Sequence, residues 1–194
     1  MANLNPILMK KFILVSVIEF HAGESEAEIF YRKKREIIDT GKSFWLIKSF
    51  KAKTEDIQKF CKCALNEGED VFCIFLEASQ KGGAQPTKTN SVASQFSSDN
   101  TYWSDIPKEI KVTGKIDKKT TALVLESLEM NDENKVEIDL WNYSNFLDSL
   151  NPIRFTQGAS TICATKKYNE GMKSRYRQIV AFGKLTKPFA IWLK

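Results

Sequence analysis

Between residues 11 and 78 the chain alternates three apolar runs of strand length with two amphipathic helical stretches, and this pattern limits the available folds more than any other feature. The first run, Lys11–Phe20, is rich in β-branched residues and far shorter than a membrane-spanning helix, so it reads as a buried strand. A helix is predicted next. Ser25 with Glu28 three residues on has the capping-box pattern, and Ile29, Phe30, Lys33, Ile37 and Ile38 recur near helical spacing. Gly41 supplies the left-handed stop. "SFWLIKSF" at 43–50 is the second strand. Thr54 then opens a second helix with Ile57, Phe60, Cys61, Ala64 and Leu65 on one face, ended by Gly68. "DVFCIFLEA" at 70–78 is the third strand.

Beyond residue 78 the pattern changes. Residues 78–100 contain only Val92 and Phe96 as large apolar side chains, and this stretch is expected to be a long mobile loop. Two strand-like runs, 120–130 and 135–141, flank the turn-rich "NDEN" and predict a β-hairpin at about 120–141. "NFLDSLNP" suggests a short helical turn. "STICATK" and "PFAIWLK" read as strands, while 169–183 fits a helix or a strand. The fold class is therefore α+β: a single β-rich domain over residues 1–194 with two or three helices.

The signal-peptide alternative for the N-terminus is weak, because Glu19, His21 and Glu24 follow the apolar run and no small-x-small cleavage site appears. The four cysteines, Cys61, Cys63, Cys73 and Cys163, do not have the C-x-x-C metal spacing. With one histidine, His21, a closed zinc site is not expected. Four reduced thiols and a cytoplasmic location are the expectation.

Charge is divided unevenly. The net charge is +5, yet residues 151–194 hold nine Lys or Arg and a single acid, Glu170, while the first 150 residues are slightly acidic. A basic end on a near-neutral body points to a polyanionic partner. The candidate contacts are Arg154, Lys166, Lys167, Tyr168, Lys173, Arg175, Tyr176 and Arg177. Lys and Arg neutralise phosphates, and exposed tyrosines stack on unpaired bases. Phe182, Phe189 and Trp192 in the same segment read as core. The leading expectation is a non-catalytic protein that binds nucleic acid, DNA or RNA, through a basic C-terminal face. The alternatives are an adaptor or inhibitor that meets an acidic protein surface, and a divergent metal-dependent nuclease using Glu137 and Asp139. No cofactor, resident metal or membrane partner is expected.

Other patterns carry less. Three (D/E)-x-K matches are what 24 acids and 24 lysines in 194 positions give by chance. Asp39 and the strand–helix–strand that follows resemble the core order of PD-(D/E)XK nucleases, but Leu46-Ile47-Lys48 stands where the acid-x-Lys signature belongs. "TQGAST" at 156–161 has the small residues of an anion-binding turn without any phosphate-loop or nucleophile-elbow pattern. "FWLIKSF" at 44–50 resembles the opening strand of EVE domains, PUA-like barrels that read modified bases. That likeness covers seven residues and supplies no fold.

Overall fold

The computed structural model describes residues 4–18, 23–47, 52–77, 90–117, 119–131, 136–148, 151–153, 161–167, 171 and 173–194. These form three helices, α1 (Asn5–Leu8), α2 (Glu26–Thr40) and α3 (Thr54–Asn66), and thirteen strands. The strands are β1 (Phe12–Ile18), β2 (Ser43–Ile47), β3 (Phe72–Glu77), β4 (Ser91–Val92), β5 (Gln95–Ser97), β6 (Ser104–Asp105) and β7 (Thr113–Gly114). They continue with β8 (Thr120–Leu125), β9 (Glu129–Met130), β10 (Glu137–Asp139), β11 (Tyr143–Asn145), β12 (Thr161–Lys166) and β13 (Tyr176–Leu193). The chain is thus a mixed, sheet-rich α+β protein.

Local chemistry explains the early elements. At α2 the Ser25 hydroxyl accepts from Glu28 N–H at 3.3 Å, and the Glu28 carboxylate accepts from Ser25 N–H at 2.7 Å. Gly41, at φ +77°, donates its N–H to Ile37 O and ends the helix. Ile29, Phe30 and Lys33 are buried as the spacing predicts, but Ile38 is 69% exposed. The buried stripe runs through Lys33 and Glu36 instead and leaves Ile38 outside it. The start of α3 differs by one residue. Lys53 is the cap, Asp56 accepts its N–H at 3.3 Å, and Thr54 is buried with its hydroxyl 2.9 Å from that of Thr121.

The ladder wraps into a ring. β1 runs parallel to β3 and antiparallel to β12; β3 runs antiparallel to β13; β13 pairs with β10, and β11 pairs with β12. β10 and β11 are joined only by the 3-10 turn Leu140–Asn142, whose ends stay bonded to both neighbours: Leu140 N–H donates to Arg175 O and Lys167 N–H to Asn142 O. Residues 137–145 therefore close the circuit between β13 and β12, and the strands enclose an inner cluster.

That cluster contains Ile13 and Val15 of β1, Ile74 and Leu76 of β3, Ile138, Leu140, Tyr143, Ile162, Ala164 and Ile179. Ile7 of α1 and Leu4 just before it belong to it and plug the end where β1 begins, and there the Tyr143 hydroxyl donates to Leu8 O at 3.0 Å. Alternate residues of the same strands, among them Leu14, Cys73, Phe75 and Cys163, face outward and are covered by Ile29 and Phe30 of α2 and by Ile57, Phe60, Cys61 and Ala64 of α3. Each large apolar side chain among these contributes about 1.5–3 kcal/mol on burial.

The 18-residue β13 organises the rest. Beyond its pairing with β3 it pairs with β8, and β8 pairs on its other edge with β2. The hairpin expected at 120–141 is therefore not formed: both edges of β8 are occupied by β2 and β13, and residues 137–139 lie on β13 as well. The nuclease-like order also fails, because β2 pairs with β8 and not with β1 or β3. Of the stretch 169–183, the part from Tyr176 onward is strand. The loop expected at 78–100 is corrected over its second half. Ser91–Val92 and Gln95–Ser97 are strands, and Ala93 is buried in a third cluster with Phe44, Ile110, Val112 and residues of β8 and β13. Residues 78–89 lie outside the described residues. At 145–148 the structure has a turn, closed by Asp148 N–H to Asn145 O, in place of the helical turn expected there.

Candidate polyanion-binding seam

The closing segment, residues 137–145, sets where the predicted basic residues fall. Lys166 and Lys167 end β12 and flank it on one side; Lys173, Arg175, Tyr176 and Arg177 lead into β13 and flank it on the other. From the Ile138–Arg177 pair to the Tyr143–Lys166 pair the seam runs through six residues, three of them in the 3-10 turn. Arg154 and Tyr168 lie outside the described residues.

Each side chain has its own setting. Lys166 is exposed, and its Nζ donates to Leu8 O, a neutral acceptor, at 3.2 Å. Lys167 and Lys173 are exposed, and Arg175 is half-buried. Arg177 lies opposite Ile138 and two residues before Ile179, so it shares the inner face of the ring. Its guanidinium reaches the end of β3 and donates to Glu77 O. Arg177 thus stands at the end opposite α1, where β1 and β3 stop. Partial burial, and after it the nearby Arg175 guanidinium, lower Arg177 below the ordinary guanidinium range, while Glu77 acts the other way. It remains a cation at neutral pH. Tyr176, on the opposite face, is 60% exposed.

Among the described residues, Lys166, Lys173, Arg175 and Arg177 form no ion pair with a carboxylate. The nearest candidate, Asp139, is occupied. It accepts Arg175 N–H at 2.8 Å and Trp141 N–H at 3.1 Å, and so fixes the backbone of the seam. Burial raises its carboxyl, but those N–H groups and the Ser174 hydroxyl outweigh it and hold Asp139 below the usual carboxylate value. Two backbone donors on its Oδ1 leave Asp139 poorly placed to share a metal with exposed Glu137. Among the described residues no three His, Cys, Asp or Glu come together as a metal site.

The basic C-terminal segment does not form one face. Lys184 is neutralised by Asp70 at 3.2 Å and Glu126 at 3.1 Å. Lys194 sits over the Trp103 ring, 4.3 Å from its centroid. Lys187 lines a separate groove beside α3. Phe182, Phe189 and Trp192 are buried, as their positions in the sequence predict. The four thiols are free; Cys61, Cys73 and Cys163 are buried, and burial raises all three away from the reactive thiolate. His21 lies outside the described residues. Among the described residues no helix is long and apolar enough to cross a membrane.

Sequence reasoning missed the closing segment, since pairing of 137–145 with two non-consecutive strands leaves no local signal. It also missed the network around Glu36. There Arg32, Lys33, Ser43 and the Lys111 N–H all donate to one buried carboxylate, and the only trace in sequence is a Lys–Glu pair at i, i+3 inside an otherwise apolar stripe. No family model, no curated protein and no solved structure matches this chain.

Proposed function

We propose that the protein binds single-stranded nucleic acid along the seam between β12 and β13 and performs no chemistry on it. One observation carries this reading: among the described residues Lys166, Lys173, Arg175 and Arg177 flank the closing segment without an ion pair to a carboxylate, and Tyr176, next to them in β13 on its other face, is exposed. Unneutralised cations in a row take over the phosphate neutralisation and release the counterions condensed on the nucleic acid. Tyr176 offers a face on which an unpaired base stacks, which favours a single strand over a duplex whose bases are already stacked.

The test is fluorescence anisotropy of labelled single- and double-stranded oligonucleotides across a salt titration, with poly-glutamate as competitor. Tighter binding of the single strand, weakened by Arg175→Ala/Arg177→Ala, supports the proposal. Preference for poly-glutamate moves the reading to an acidic protein partner. Absence of binding at low salt refutes it.

A further inference from the structure

A groove of about 480 Å³ lies between α3 and the later part of β13, where β13 leaves its ladder. The register of β13 with β8 shifts between Leu185 and Ala190. Within that interruption Phe189 has φ +69°, a backbone conformation that residues with side chains adopt rarely and that the surrounding structure must hold in place. The effect is to turn Lys187 and Pro188 out of the sheet and toward α3, where both line the groove.

The opposite wall is one face of α3. Lys62 and Leu65, one turn apart, line the groove. Leu65 occupies a position that its helical spacing assigns to the core, yet it is 38% exposed. Gln58 bridges the two walls, its amide donating to Ser98 O at 3.0 Å and to Ala190 O at 2.8 Å. This bridge fixes the width at one end, so the groove is held by structure on both sides.

The chemistry of the lining is one-sided. Among the described residues the groove is lined by two lysines, Lys62 and Lys187, and by apolar Leu65, Pro188 and Phe189, with no carboxylate. Among the described residues neither lysine has an ion-pair or hydrogen-bond partner, and neither do the Asn66 amide and the Ser98 hydroxyl, which also border the groove. Cations with donors above an apolar floor select a ligand with the complementary halves. The volume falls in the range of small-molecule sites rather than of protein interfaces.

We propose that this groove binds a small organic anion with an apolar body, its carboxylate, sulfonate or phosphate held by Lys62 and Lys187 and its apolar part laid on Leu65, Pro188 and Phe189. The site is independent of the nucleic-acid seam.

The test uses two fluorescent probes of similar shape on the whole chain. 1-Anilinonaphthalene-8-sulfonate carries an anionic group; N-phenyl-1-naphthylamine is its neutral relative. The anionic probe is expected to bind saturably at one site, more tightly than the neutral one. Lys62→Ala/Lys187→Ala should weaken the anionic probe about tenfold while barely changing the neutral one. Amide shifts on titration should centre on residues 62–66, 98 and 187–190, and unchanged thermal melting of the variant keeps the comparison free of folding effects. Equal affinity for both probes, indifference to the double substitution, or shifts centred elsewhere would overturn the proposal. Oligonucleotide binding by the same variant should remain at the wild-type level, so failure here and failure of the seam can be told apart.

Discussion

Arg32 and Lys33 on α2, and Arg175 and Arg177 at the start of β13, are two pairs of nearby cations placed in opposite surroundings. On α2 both of these charges meet a carboxylate. Arg32 binds Glu24 through two bonds at 2.7 and 2.6 Å, and Lys33, 3% exposed, binds Glu36 at 2.9 Å and Lys111 O at 2.8 Å. At the seam Arg177 donates to a backbone carbonyl and feels the Arg175 guanidinium and, more weakly, the Glu77 carboxylate, but among the described residues neither arginine forms an ion pair. The first arrangement pins α2 to β2 and to Lys111. The second leaves charge available to a partner. Total positive charge is therefore a poor guide to binding; what counts is whether a counter-charge is already in place.

Breaking the α2 network should have the largest effect. Glu36→Ala leaves the Lys33 ammonium buried without its carboxylate, and we expect a loss of about 3–5 kcal/mol in stability, read by urea denaturation. If the loss stays under about 1 kcal/mol, the network is decoration and the contrast with the seam fails.

At the seam a smaller effect on binding, and none on folding, is expected. Tyr176→Ala should weaken binding of a single-stranded oligonucleotide by about 1–3 kcal/mol and leave the melting temperature unchanged. Weakening of duplex and single strand alike would show that Tyr176 does not stack.

An effect of similar size, this time on stability, is expected at Gly183. A Cβ there would come 2.6 Å from Ser127 O, a backbone atom, so Gly183→Ala should destabilise by about 1–3 kcal/mol. Because β13 is common to the ring and to the β8 side, the unfolding transition should shift as one step.

A pH dependence of stability is also expected. Burial lowers Lys33 from its usual 10.5 to about 8, with Glu36 opposing the shift. Between those values the unfolded chain binds the proton and the folded protein does not, so stability rises with pH across this window. The contribution is complete above about pH 10.5 and lost as pH falls through about 8. Wild type should therefore gain on Lys33→Met as pH is raised from 8 to 10, whereas a flat difference would show that Lys33 titrates as an exposed lysine does.

The readable part of the fold is the local part. Ser25, Glu28 and Gly41 mark α2, and the apolar runs mark β1, β2 and β3, because capping and burial act within a few residues. Pairing is not local. Residues 120–125 and 137–139 look like the arms of a hairpin, yet both join the 18-residue β13, which offers more ladder than the short turn between them. The basic residues of the site were visible by composition alone. Which of them are neutralised was not, since Lys184 meets Asp70 and Glu126 from distant parts of the chain.

The most direct test compares salt dependence of single-strand binding in three proteins: wild type, Arg175→Ala/Arg177→Ala and Lys184→Ala. Removing one cation that neutralises a phosphate should reduce the slope of log K against log salt by about 0.7. Unpartnered charge predicts a slope reduced by about 1.4 in the double arginine variant and unchanged in Lys184→Ala. Equal reductions in both variants would mean that binding follows total charge and not the seam, and would contradict the account.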